Sequence, residues 1–299
     1  MAQAAMTETN LPGMQLIKQG KVRDIYDLGE YLLIISTDRI SAFDCVLPDG
    51  IPLKGIVLNV LSAFWFDNLK DLTPHHMVTI NPDEFPAQLS AHRQYLDRRA
   101  MLVQKTEPIE VECVVRGYLA GSAWHEYSRQ GTIGALPAPR NLKEGSQLPE
   151  PLFTPSTKAS SGHDVPISFQ EMTNMIGSER AQYMRRMSLD IYRSASNYLL
   201  KQGFILADTK LEFGMHNNNI ILIDECITPD SSRFWLRSAY TPGKHQESFD
   251  KQFVRDYLSS LGWDKLPPAP SLPFKTIQET SRIYQETFQR ITGKRLSPS

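Results

Sequence analysis

Apolar and polar positions alternate most sharply between Ile205 and Trp235. Ile205-Leu-Ala-Asp-Thr-Lys-Leu-Glu-Phe-Gly214 and Ile220-Ile-Leu-Ile-Asp-Glu-Cys226 read as two strands, with residues 214–219 supplying a hairpin turn. Side chains alternate along a strand, so Asp208, Lys210 and Glu212 share one face while Ala207, Leu211 and Phe213 share the other. Asp224 or Glu225 lies across the hairpin from them, and a one-residue change of register decides which. Carboxylates gathered around one lysine can hold a divalent metal against phosphates. The same pattern is also that of an ordinary antiparallel pair with one wet face.

Alternation also predicts strands over residues 16–18, 22–26 and 31–36. Lys21 and Arg23 follow Gly20 and point to one face, either to hold a triphosphate under a hairpin or to line a solvated edge. Asp38-Arg-Ile-Ser-Ala-Phe-Asp44 is expected as a polar loop after a buried strand, a placement that favours function, although Asp38 could simply cap a turn. Residues 77–105 carry only weak strand and loop signals. A β-branched strand centred on Val111-Glu-Cys-Val-Val ends on Arg116, and Gly121-Ser122 opens a short helix over 123–130 closed by Gly131. An arginine facing a helix N-terminus makes an anion seat. Alternatively Ser122 caps its helix and Arg116 pairs with Glu110 or Glu112.

Helical spacing marks residues 55–68, with Val57, Leu58, Leu61 and Trp65 on one face. Ser168-Phe-Gln-Glu171 is a capping box, and 178–202 is a long amphipathic helix ended by Gly203 that packs on the hairpin. Further helices are predicted over 249–261, stopped by Gly262, and 276–292, burying Ile277, Tyr284, Phe288 and Ile291, with a stiff proline linker over 266–273. Residues 137–166 are rich in Pro, Ser, Thr and Gly and read as one long loop carrying Thr157-Lys-Ala-Ser-Ser-Gly-His-Asp164. Loops of that length inside a compact domain are functional or disordered.

Composition narrows the class. A chain of 299 residues makes one large domain or two small ones, burying about 75% of its unfolded surface. A net charge of −1 with no lysine/arginine block argues against nucleic acid as a partner. Cys45, Cys113 and Cys226 form no Cys-x-x-Cys, and the seven histidines no His-Glu-x-x-His. Residues 1–10 do not resemble a signal peptide, and no apolar run approaches the ~20 residues of a spanning helix. The expectation is a cytoplasmic protein that does not meet a membrane.

Five motifs in order carry a resemblance: Gly20-Lys-Val-Arg-Asp, Asp38-Arg-Ile-Ser-Ala-Phe-Asp44, Val111-Glu-Cys-Val-Val-Arg116 with Gly121-Ser122, Leu206-Ala-Asp-Thr-Lys-Leu-Glu-Phe-Gly214, and Asp224-Glu225 with Pro229-Asp-Ser-Ser-Arg-Phe-Trp235. From about Gly20 to Trp263 the chain resembles the SAICAR synthetases of purine biosynthesis, in their longer form. One departure is Glu110, where the family usually has proline. The resemblance implies an α/β (α+β) fold of ATP-grasp-like, two-lobed architecture: a β-rich N-lobe (1–108), a C-lobe with the metal and substrate site (109–245) and a C-terminal helical extension (246–299). It implies ATP and Mg²⁺ as cofactors. It also implies ligation of L-aspartate to the carboxylate of 5-amino-1-(5-phosphoribosyl)imidazole-4-carboxylate (CAIR) by way of an acyl phosphate, most simply in a monomer.

By matching positions, Gly20, Lys21, Val22 and Arg23 would face the ATP phosphates. Lys105 would join the ATP site, and the backbone around Glu112 and Cys113 would meet adenine. Glu212 and Asp224 would bind Mg²⁺, with Asp208 and Lys210 beside them. Arg116, Ser122 and Arg233 would hold the 5′-phosphate. Asp38, Ser41 and Asp44 would lie near the imidazole and amino acid, and Lys158 and Asp164 would close over them, Asp164 as a base for the aspartate amine. Two other classes fit less well. A small-molecule kinase lacks support because there is no Gly-x-Gly-x-x-Gly, His-Arg-Asp or Asp-Phe-Gly. A non-catalytic nucleotide sensor would have no need of this set of acids and lysines.

Overall fold

The computed structural model describes residues 4–158, 164–244 and 246–296. Strands β1 (Gln15–Gln19), β2 (Arg23–Asp27) and β3 (Tyr31–Ser36) come first, followed by the short pair β4 (Arg39–Ala42) and β5 (Cys45–Gly50). Helix α1 (Lys54–Leu69), β6 (Met77–Thr79), the single turn α2 (Arg93–Leu96) and β7 (Ala100–Gln104) complete the N-terminal part. Leu33, Ile34 and Ile35 are apolar on both faces of β3 and all buried, which suits an interior strand. The antiparallel sheet accordingly runs β1-β2-β3-β7-β6, with β3 in the middle.

The second half comprises β8 (Glu107–Tyr118), α3 (Gly121–Gln130), β9 (Thr132–Ile133), β10 (Leu136–Pro137), β11 (Gln147–Thr157), α4 (Phe169–Ile176), α5 (Ser178–Lys201), β12 (Phe204–His216), β13 (Asn219–Ile223), β14 (Ser232–Leu236), α6 (Gln252–Ser260) and α7 (Phe274–Thr292). The strand order is β11-β8-β12-β13, and β14 pairs with the first half of β12 on the edge whose second half takes β13. On α5, Ala181, Met184, Ser188, Ile191, Ala195 and Leu199 are buried at helical spacing and share a core with Val111, Val115, Leu206, Leu211 and Phe213 of the sheet. That packing leaves the opposite, charged face of β8 and β12 to form a cleft wall. Among the described residues no helix is long and apolar enough to cross a membrane.

Three local expectations change. The hairpin turn is Asn217-Asn218, both at positive φ (48° and 61°), because a two-residue turn of this hand needs left-handed residues and asparagine tolerates them. Residues 38–44 are not one polar loop: Arg39–Ala42 form β4, which pairs with β5 and is buried throughout, and Phe43-Asp44 make the turn between them. Residues 147–157 of the expected long loop form β11, because an edge strand beside β8 needs donors on one side only and so admits Pro149, Pro151 and Pro155. Within Thr157–Asp164, residues 159–163 lie outside the described residues. The capping box on α4 forms as expected, with the Ser168 side chain on the Glu171 N–H and Glu171 returning to Ser168.

Candidate active site

A cleft of about 1120 Å³ opens between the β1–β2 hairpin, the Phe43-Asp44 turn, the charged face of β8 and β12, and the C-terminal segment. Gly20, Lys21, Val22, Arg23, Ser41, Asp44, Glu112, Ser122, Lys158, Lys210, Glu212, Asp224 and Arg233 all line it, with Asp164. The sequence scatters these positions over more than two hundred residues. The two sheets bring them together.

On β12, alternation holds and the shared face divides into two charge clusters. Lys210 Nζ stands 2.7 Å from Glu112 and 3.7 Å from Glu212, and Glu212 is also paired with Lys158. Although burial disfavours its charge, Glu212 and Glu112 raise the Lys210 ammonium above the lysine range. Burial pushes the Glu112 carboxyl up to about 7 against the pull of Lys210, with Glu212 and a hydrogen bond to Asp164 adding to the rise. Asp208, by contrast, pairs with Arg233 and lies 3.5 Å from Arg116. It belongs with the arginines and not with the expected metal cluster, because β8 sets Arg116 directly opposite Asp208 and Glu112 directly opposite Glu212.

The register question across the hairpin has an unexpected answer. Ile223, not an acid, is opposite Glu212, and the strand ends there. Asp224 then takes a left-handed conformation (φ 66°), which breaks the alternation and turns both Asp224 and Glu225 into the cleft. Arg23 receives both, at 2.7 Å from Asp224 and 3.1 Å from Glu225. Burial raises the Glu212 carboxyl, and repulsion from Asp224 raises it further. Asp224 itself is drawn down, against burial, by Arg23, Lys210 and Lys158. Among the described residues no three His, Cys, Asp or Glu side chains are grouped as a ready metal cage. Two repelling carboxylates lining the cleft nonetheless fit magnesium, which takes one or two carboxylates and completes its shell from substrate phosphates and water.

At the other end of the wall, Arg116 bonds Thr154 Oγ1 through Nε at 2.9 Å and reaches Ser122 Oγ at 3.3 Å. Ser122 lies inside α3 and does not cap it; the residue before the helix is Ala120. Neither Glu110 nor Glu112 is the partner of Arg116. Gly121 has φ 54°, and a Cβ there would fall 2.3 Å from Arg233 Nη2, so glycine is what allows the arginine to cross the helix N-terminus. Arg116 and Asp208 stand one layer behind the surface formed by Gly121, Ser122 and Arg233.

Three expected residues sit elsewhere. Asp38 is fully buried, accepting the N–H groups of Gly55 and Met6 at 2.8 Å each, so it ties β4 to α1 and does not face the cleft. Lys105 pairs with Asp27 at 2.7 Å, outside the cleft wall. The Cys113 thiol is buried among core residues, and β8 is flanked by β11 and β12 on both edges. Its backbone groups around Glu112 and Cys113 therefore face neighbouring strands and are not left over for a base; only the Glu112 side chain reaches the cleft.

Sequence reasoning offered Glu225 only as an alternative to Asp224, not beside it, and missed the buried Asp230 with Lys54 at 2.9 Å and Lys251 at 3.6 Å, and the cleft-lining flank of α6. Asp230-Ser-Ser-Arg233 was visible as a motif, but its cationic partners are remote in the chain and gave no signal.

A family model described as SAICAR synthetase matches residues 16–270. The phosphoribosylaminoimidazole-succinocarboxamide synthase of Thermodesulfovibrio yellowstonii is 53% identical over 96% of this chain and 98% of its own. That of Syntrophotalea carbinolica is 51% identical, with 96% and 97% covered. Among solved structures, a SAICAR synthase from Saccharomyces cerevisiae complexed with SAICAR superposes with a TM-score of 0.89 at 40% identity, covering 98% of this chain and 100% of that one. A SAICAR synthetase in complex with ADP gives 0.68 at 26% identity, with 94% and 99% covered.

Proposed function

The chain belongs to the SAICAR synthetase family, ATP-dependent ligases that join CAIR and aspartate in purine biosynthesis, and from that premise we propose how its residues divide the work. A carboxylate in water is a poor electrophile, so amide formation requires its activation. Phosphorylation by ATP gives an acyl phosphate with a good leaving group, which the aspartate amine displaces.

Lys21 and Arg23 from the hairpin face the ATP phosphates, Lys21 exchanging its present partner Asp44 for them. Glu212 and Asp224 would hold Mg²⁺, which supplies charge neutralisation on the phosphates. Lys210 and Lys158, whose ammonium groups Glu212 keeps charged, stand where negative charge builds during phosphoryl transfer. Ser122 and Arg233 form the contact surface for the nucleotide 5′-phosphate, with Arg116 behind them orienting Ser122 and with the N-terminus of α3 adding its free N–H groups. Ser41 and Asp44 serve the imidazole and amino-acid side. Asp164, hydrogen-bonded to Glu112, is placed to take a proton from the aspartate ammonium. In this division Asp208 orients the two arginines and does not touch the metal.

The observation that carries the reading is the separation of two cationic centres along one sheet face, Lys210 with its acids and Arg233 beside Gly121 with Arg116 on Ser122, both opening on one cleft. Its test is isotopic. With ¹⁸O in the carboxylate of CAIR, one label leaves in inorganic phosphate on every turnover, because the new C–N bond replaces that oxygen. Label in AMP would signal adenylate activation, and unlabelled phosphate formed alongside amide would remove the acyl phosphate.

A further inference from the structure

α6 turns two flanks to different surroundings. Val254 and Leu258 are buried with Ile40, Ala42 and Leu47 of β4 and β5, which fixes the helix against that pair. Gln252, Arg255 and Ser259, spaced three and four apart on one face, line the cleft. On the same wall Lys251 is engaged by Asp230. Arg255 makes no ion pair among the described residues. The buried Asp250 carboxyl feels both Arg255 and Arg233, so Arg255 stands on the same side of the cleft as the phosphate seat.

We propose that Arg255 binds a carboxylate of the amino-acid substrate, so that the C-terminal helix supplies part of the aspartate site; the assignment rests on the function proposed above. In that reading Lys21, Arg23, Lys158 and Lys210 answer the triphosphate, and Ser122 with Arg233 answers the 5′-phosphate. Aspartate brings two further carboxylates, both charged at neutral pH. A guanidinium matches a carboxylate through two parallel hydrogen bonds, which a lysine cannot reproduce. Position agrees with this. α6 packs against β4 and β5, which bring Ser41 of β4 and Asp44 of their turn to the cleft, and Phe43 in that turn meets Trp263 beyond α6 at a ring separation of 6.4 Å. Gln252 and Ser259 flank Arg255 on the same face and add neutral donors, suited to a small zwitterion.

The test is steady-state kinetics of Arg255→Met and Arg255→Lys with each substrate varied in turn. Loss of a charged hydrogen bond corresponds to about ten- to a hundredfold in affinity. The KM for aspartate is expected to rise by about that factor in R255M and by less in R255K, while the KM values for ATP and for CAIR stay within about twofold. Calorimetric titration of succinate into the complex with a non-hydrolysable ATP analogue gives a readout independent of turnover, and the same loss is expected there. Thermal melting matched to the unsubstituted protein confirms the fold, and Arg255→Gln replaces R255M if that variant is unstable. An unchanged KM for aspartate overturns the assignment. A rise confined to CAIR also overturns it and moves Arg255 to the phosphate seat. Absence of aspartate-dependent ADP release from the unsubstituted protein would instead strike the parent reading.

Discussion

Arg23, on the second strand of the N-terminal sheet, lies 2.7 Å from Asp224, which follows the hairpin of the second sheet two hundred residues later. Both groups are largely withdrawn from water, and the contact closes one sheet on the other across the cleft floor. Asp224, Glu225 and Glu212 keep the Arg23 guanidinium charged despite its burial. Under the function proposed above, a triphosphate would meet a cation already oriented by acids, a preorganised arrangement of the kind that lowers barriers to charge transfer.

Asp224→Asn preserves shape and removes the charge. It is expected to lower kcat by at least ~10²-fold with the fold intact, the scale of a lost electrostatic stabiliser. Glu225→Gln should act differently, because Glu225 also accepts the Thr228 hydroxyl and braces the turn. A smaller fall in kcat and a lower melting temperature are expected there. Reversal of the two outcomes would move the metal site to Glu225.

Arg233→Ala is expected to weaken CAIR by roughly 1.5–3 kcal/mol, the size of a charged hydrogen bond, and Arg116→Ala, which acts through Ser122, by less, with ATP binding nearly unchanged in both. Titration of each ligand separately decides this. Equal weakening of both would make the arginines structural or assign them to the triphosphate.

Gly121→Ala tests the same seat through geometry alone. A methyl group at φ 54° is strained, and its carbon would lie 2.3 Å from Arg233 Nη2. The guanidinium must move, so the KM for CAIR should rise by about tenfold or more, consistent with loss of a charged contact. An unchanged KM would show that Arg233 is not needed in its present place.

Asp230 gives a prediction about acid. Burial alone would raise its carboxyl, but Lys251, Lys54 and the Tyr284 hydroxyl draw it well below the carboxylate range. A folded value below the unfolded value near 3.9 means stability that is fully present above that pH and is lost as pH falls below it. Asp230→Asn should flatten the acid limb of the stability curve below about pH 4. At neutral pH it should cost about 3–5 kcal/mol, because Lys54 is left buried without its counterion. Denaturant melts across pH measure both effects.

Much of this was legible along the chain. The period of two on β12 placed Asp208, Lys210 and Glu212 on one face, and the period of 3.6 located α5 and α7 to within two residues. The capping box at Ser168 and the glycine stop at Gly131 are equally local, since each depends only on neighbours within one helical turn. What tertiary structure alone decided is which charge meets which. Asp208 stands with Arg116 and Arg233, while Lys210 stands with Glu112, because β8 pairs with β12 in one register and no nearer sequence encodes that choice. The proline-rich 147–157 segment becomes a strand only because β8 offers it an open edge. Asp38 faces inward because the Gly55 and Met6 N–H groups meet there, and Arg255 faces the cleft because Val254 and Leu258 bury the other side of its helix. Local periodicity tells which face a side chain takes, whereas its partner across a hundred or more residues is set by how the sheets and helices stack.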